Sequence, residues 1–160
     1  MPGMHLALMQ VSEEENMAIR ILLIEDSSGD VRLMREVLLG ANNSIQLLVA
    51  SDGVEAMSFL RQQGTYRNAP RPDLILLDLN LPKIDGREVL ALIKADGDLR
   101  AVPIIVLTTS DADADIVNSY QLQANCYLSK PGALNEFENL VKSLNDFWLT
   151  RVKLPKKMSR

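Results

Sequence analysis

The chain has 160 residues, 47% of them hydrophobic and 24% charged, with a formal net charge of -4, the make-up of one ordinary globular domain whose core needs no staples. The acidic balance excludes a general nucleic-acid binder, which needs a basic face against phosphates, and the single cysteine excludes an internal disulfide or a cysteine-built zinc site. No run approaches the roughly 20 apolar residues that span a bilayer, and no Lys or Arg precedes the mildly apolar Met4 to Val11, so no membrane partner and a cytoplasmic location are expected.

Residues 1–17 lack a periodic pattern and include Glu13-Glu14-Glu15, so they read as a flexible leader, with Met17 an alternative start. The only histidine, His5, lies there with nothing nearby to orient its ring, which argues against a catalytic or phosphorelay role for it. A strand over 19–25 closes on Glu25-Asp26, and Ser27 or Ser28 opens the helix that follows. A second strand over 45–50 leads to Asp52, with Glu55 three residues on, a pairing that caps a helix. Gly64 to Pro72 is an irregular surface connection; loop growth costs only about 0.6 kcal/mol per doubling, so it leaves the sheet undisturbed.

The third strand, 73–78, contains Leu74-Ile75-Leu76-Leu77, ends on Asp78 and runs into Leu79-Asn80-Leu81-Pro82. Asp85 and Glu88 begin another helix, and a fourth strand over 103–108 ends on Thr108. Ser110 with Asp111, Asp113 and Asp115 marks the next helix start; these acids, like Asp52 and Asp85, read as caps rather than ligands. The fifth strand, 125–129, holds Cys126 as a small core residue and is followed by Lys130. A last helix from about Ala133 to Arg151, about 28 Å long at about 1.5 Å per residue, would overhang the sheet. Its stripe Leu134, Phe137, Val141, Leu144 and Trp148 packs on the sheet, while Phe147 and Trp148 in the overhang point to a homodimer surface. Arg151, Lys153, Lys156, Lys157 and Arg160 form a solvated basic tail.

Five alternations of apolar run and helical stretch give a (βα)5 chain, read as an α/β, doubly wound parallel sheet. Each strand is apolar on both faces, as parallel strands covered by helices must be. The domain is placed at 18–152, with the leader before it and the basic tail at 153–160.

Ligand sites in such sheets lie outside the carboxyl ends of the strands, so Glu25, Asp26, Asp78, Thr108 and Lys130 can meet there. Three carboxylates brought together raise at least one pKa unless a cation neutralises them. With no His or Cys at hand, a hard divalent ion with oxygen ligands at roughly 2.0 to 2.1 Å suits them, and Mg²⁺ is the expected cofactor. Lys130 and the Thr108 hydroxyl help bind no cation; they make sense if an anion also visits. A phosphoryl group on Asp78 meets every requirement, the aspartate acting as nucleophile.

In order and spacing, Ile-Glu25-Asp26, Leu-Asp78-Leu-Asn80-Leu-Pro82, Val-Leu-Thr108 and Lys130-Pro131 resemble the motifs of response regulator receiver domains over about residues 19–145, which implies a flavodoxin-like sheet in strand order 2-1-3-4-5. The resemblance implies Asp78 as phosphoacceptor, Mg²⁺ on Asp26, Asp78 and the Asn80 backbone carbonyl with Glu25 assisting through water, and Lys130 on the phosphate. It places Thr108 and Tyr127 at the switch positions, with Tyr120 and the last helix as readout, and implies a cis Lys130-Pro131 peptide. Thr109 stands where many receivers carry alanine or glycine, so it narrows access to Asp78. The Gly64–Pro72 insertion and the Phe147-Trp148-Leu149 ending are similar to regulators paired with cyanobacterial phytochrome histidine kinases. The implied function is a single-domain regulator, not an enzyme in the usual sense, phosphorylated by a histidine kinase and acting on a further protein partner. Two rivals stand beside it. An aspartate-nucleophile phosphohydrolase needs a second aspartate where Asn80 stands, and a phosphate-independent interaction module would not need the full acidic and basic set.

Overall fold

The computed structural model describes residues 18–41 and 44–156. Expectations about the leader, His5, Met17, Lys157 and Arg160 lie outside the described residues. In chain order the elements are β1 (Ile19–Ile24), α1 (Ser28–Ala41), β2 (Ile45–Ala50), α2 (Gly53–Leu60), a 3-10 turn (Gly64–Tyr66), β3 (Leu74–Leu77), α3 (Gly86–Ala95), β4 (Ile104–Thr108), α4 (Asp113–Gln121), β5 (Cys126–Ser129) and α5 (Leu134–Phe147). All strand pairs are parallel, as the alternating pattern implied, and the sheet order is β2-β1-β3-β4-β5, as the receiver resemblance implied.

Successive strand residues point to opposite faces, and each face has its own core. Leu22, Ile24, Ile75, Leu77, Ile104 and Val106 pack with Ala56, Met57, Leu90 and Ile93 of α2 and α3. Ile21, Leu23, Leu74, Leu76, Ile105 and Leu107 pack with Met34 and Leu38 of α1 and with Phe137, Val141 and Leu144 of α5. Two covered faces explain the unbroken apolar runs of β1, β3 and β4. The edge strands depart from that expectation: Gln46 in β2 and Ser129 in β5 are exposed, because each edge has a neighbour on one side only. Cys126 is half-buried against the second core, and burial pushes its thiol up, as befits an inert packing residue.

Three helix starts follow the expected caps, whereas α4 starts after Ala112 with no side-chain cap, against the signal read at Ser110. The Ser27 hydroxyl accepts from the Asp30 amide at 3.3 Å, Asp52 from Glu55 at 2.8 Å, and Asp85 from Arg87 at 2.8 Å. In the Gly64–Pro72 connection, the Tyr66 ring packs tilted against Phe59, centroids 5.5 Å apart, and its hydroxyl donates to Glu55 at 2.7 Å, so the loop is tied to α2.

The last helix is shorter than its periodicity suggests. It ends at Phe147, 14 residues or about 21 Å, and the amides of Trp148 and Leu149 both bond the Leu144 carbonyl. Past the helix end Leu149, 7% exposed, and Leu154 pack on the second core. The expected overhang is therefore absent. Phe137, Val141 and Leu144 hold their places on the stripe, but Leu134, at the helix's first turn, is 67% exposed. Trp148 packs on the core and edge-on to Phe147, which is 59% exposed. No helix among the described residues is long and apolar enough to cross a membrane.

Candidate functional site

The carboxyl ends of β1, β3, β4 and β5 meet at one end of the sheet because the register aligns them: Ile24 lies opposite Leu77, and Thr108 opposite Ser129. Glu25, Asp78 and Lys130 stand just past the ends of β1, β3 and β5 and Thr108 closes β4, all four buried. Carboxylate oxygens of Glu25, Asp26 and Asp78 lie within 4.8 Å of one another, with Asp26 on the exposed side. The donor set is all oxygen, open to solvent through Asp26, and it fits a hard divalent cation rather than a soft metal.

Asp78 is held at both oxygens. Its Oδ1 accepts from the Thr108 hydroxyl at 2.7 Å and from the Asn80 amide at 3.1 Å. Its Oδ2 accepts from Lys130 Nζ at 3.2 Å. Lys130 also donates to Glu25 and, at 2.9 Å, to Asp30 in the first turn of α1. Three carboxyl groups thus surround one ammonium and Asp26 adds a fourth to the cluster, an excess of negative charge that a bound cation would relieve.

The titration behaviour follows from that crowding. Burial pushes Glu25 up to about 7, because one ammonium shared among several carboxylates does not repay its desolvation. Burial would raise Asp78 as well, but hydrogen bonds from Glu25, Thr108 and the Asn80 amide outweigh it and hold this carboxyl below the ordinary range. Burial works against the Lys130 charge, yet its bonds to Glu25 and Asp30 raise it above the usual lysine value. The cluster therefore keeps Asp78 ionised beside a charged Lys130 at neutral pH.

Two close approaches fix the loop after β3. A Cβ on Gly86 would sit 2.2 Å from the Asp78 carbonyl, and one on Gly53 would sit 2.1 Å from the Ile84 carbonyl. Only glycine lets α3 start directly under the strand end and α2 abut the loop. Lys83 turns that loop at φ 69 and pairs with Asp52 at 3.2 Å.

Tyr127 is half-buried and donates to the Ser110 carbonyl at 2.8 Å, while Thr109 is exposed. Among the described residues no peptide is cis, so the Lys130-Pro131 bond is trans, against expectation; trans is the lower-energy form even before proline, by about 0.5 to 1 kcal/mol. The capping role assigned to Asp115 also needs correction. Its two oxygens accept from Arg87 Nε and Nη2, each at 2.8 Å, and from the Ser110 hydroxyl at 2.6 Å, so it ties α4 to the start of α3. Sequence reasoning missed Asp30 and Arg87. Asp30 lies one helical turn past Asp26 and carried that signal; Arg87 and Asp115 are 28 residues apart and carried none.

A family model described as response regulator receiver domain matches residues 21–142. The chain is 51% identical over 145 residues to response regulator Rcp1 of Synechocystis sp., covering 91% of this chain and 99% of that protein. The crystal structure of the Mn(2+)-bound form of Rcp1 superposes with a TM-score of 0.83, covering 86% of this chain and 99% of that one. The crystal structure of the phosphorylated cyanobacterial phytochrome response regulator RcpA, 48% identical, superposes at 0.84 over 87% of this chain and 99% of that one.

Proposed function

Because the chain belongs to the response regulator receiver family, we propose that it accepts a phosphoryl group from a histidine kinase on Asp78 and thereby changes which proteins it binds. The observation that carries this reading is the setting of Asp78: a buried, ionised carboxylate at a strand end, with a hydroxyl on one oxygen and an ammonium on the other. A carboxylate oxygen bonds to phosphorus as the donor's P–N bond breaks; the electron pair leaves on the imidazole nitrogen, which takes up a proton. Water attacking the same phosphorus later releases inorganic phosphate and restores the carboxylate. Lys130 and Thr108 stand where they would neutralise and hydrogen-bond the transferred oxygens.

Mg²⁺ is the proposed cofactor, with Asp26, Asp78 and the Asn80 carbonyl as ligands and Glu25 behind them; when bound it supplies positive charge against the phosphoryl oxygens. Thr108 moves toward the new anion and Tyr127 exchanges its bond to Ser110, altering the face that bears Tyr120 and α5. The likeness to a phytochrome response regulator supports a phytochrome-type kinase as donor. A homodimer through the C-terminal region, a downstream protein partner and a cytoplasmic location complete the reading.

The test is phosphotransfer from a panel of labelled histidine kinases to the protein and to Asp78→Asn. Rapid Mg²⁺-dependent labelling of the first alone is expected, fastest from a phytochrome-type kinase. Equal labelling of the two would end the assignment of Asp78.

A further inference from the structure

We propose that Asp30 is a positioning residue for Lys130, holding one of its donors until an anion on Asp78 claims it. The inference rests on the reading of Asp78 as phosphoacceptor. An ammonium has three N–H donors, and here all three are engaged, on Glu25, Asp30 and Asp78. An incoming phosphoryl group therefore meets a lysine with no donor to spare. The donor now on Asp78 passes to the phosphoryl group bonded there, so a second lysine bond to the phosphoryl oxygens needs the donor on Glu25 or the one on Asp30.

Burial decides which. The side chains of Glu25 and Asp78 are 2% and 8% exposed, that of Asp30 35%. A carboxylate abandoned at Glu25 would keep only the long bond from the Ser27 amide, at 3.3 Å, in a dry site, whereas Asp30 regains water as the ammonium leaves. Asp30 also keeps its place without Lys130. Its amide bonds the Ser27 hydroxyl, and it sits in the first turn of α1, where the helix dipole favours a carboxylate. It therefore waits as a fixed, solvated alternative to the phosphoryl group, and the two compete for one charge. Removing Asp30 makes that charge more available and favours the phosphorylated state.

The experiment measures binding of beryllofluoride with Mg²⁺ by nuclear magnetic resonance in the wild type, Asp30→Asn, Lys130→Met and the double variant, with urea unfolding of each. Asp30→Asn is expected to bind about two- to five-fold tighter, the worth of a partly exposed ion pair. In the Lys130→Met background the same change is expected to do nothing, since Asp30 acts through the lysine. Asp30→Glu is expected to restore wild-type affinity. Unchanged affinity in Asp30→Asn, or an equal gain with and without Lys130, overturns the proposal; the second outcome would mean plain charge repulsion. Should the Lys130→Met pair bind too weakly to measure, the Lys130 ammonium resonance decides: faster proton exchange in Asp30→Asn supports the contact, and unchanged exchange refutes it. A wild type that takes up no beryllofluoride would instead count against Asp78 as phosphoacceptor.

Discussion

Arg87 grips both oxygens of Asp115 while Ser110 holds one of them, and Ser110 also receives Tyr127. This small network reaches from α3 through the β4–α4 connection to the proposed switch residue. The Arg87 charge and the Ser110 hydroxyl hold the Asp115 carboxyl down to about 2, against about 3.9 in an unfolded chain. A carboxyl depressed on folding stabilises above its unfolded pKa and loses that contribution as pH falls through its folded value. Asp115→Asn is therefore expected to lower stability by about 1 kcal/mol at pH 7, given partial exposure. The deficit should shrink below about pH 3.9 and vanish near pH 2. Urea unfolding across that range checks it; a deficit constant with pH would mean that charge plays no part.

At the scale of elements, the loop between β3 and α3 is the part that the site cannot spare. It carries Asn80, and it is clamped by Gly86 beneath the Asp78 carbonyl and by Gly53 against Ile84. Gly53→Ala is expected to cost about 1 to 3 kcal/mol, the usual result of forcing a methyl into a filled space. Because the displaced backbone is the loop that follows the proposed phosphoacceptor, labelling of Asp78 should slow as well. Loss of stability with unchanged labelling would show that the clamp serves packing alone. α5 illustrates the converse. Its apolar spacing continues past Phe147, but the helix ends there, and Leu149 and Leu154 pack on the second core from beyond its end.

For the whole molecule, the proposed dimer draws on Phe147, which stays 59% exposed although the helix ends there. Phe147→Asp is expected to convert a dimer to monomer in sedimentation velocity while leaving Asp78 labelling intact. A wild type that sediments as a monomer, with and without beryllofluoride, removes the dimer from the reading.

Strand number, the parallel arrangement and the carboxyl-end placement of Glu25, Asp26, Asp78, Thr108 and Lys130 were legible from the chain alone. Both faces of a central parallel strand are covered, so its sequence is an unbroken apolar run, and a polar residue at the end of such a run has one place to go. The third partner of Lys130, the Arg87–Asp115 tie, the end of α5 and the trans Lys130-Pro131 bond were decided only by tertiary structure. An ion pair depends on which helix starts come side by side and how dry they are, and a helix end depends on which core its last apolar residues can reach. Neither distance nor burial is written in local periodicity.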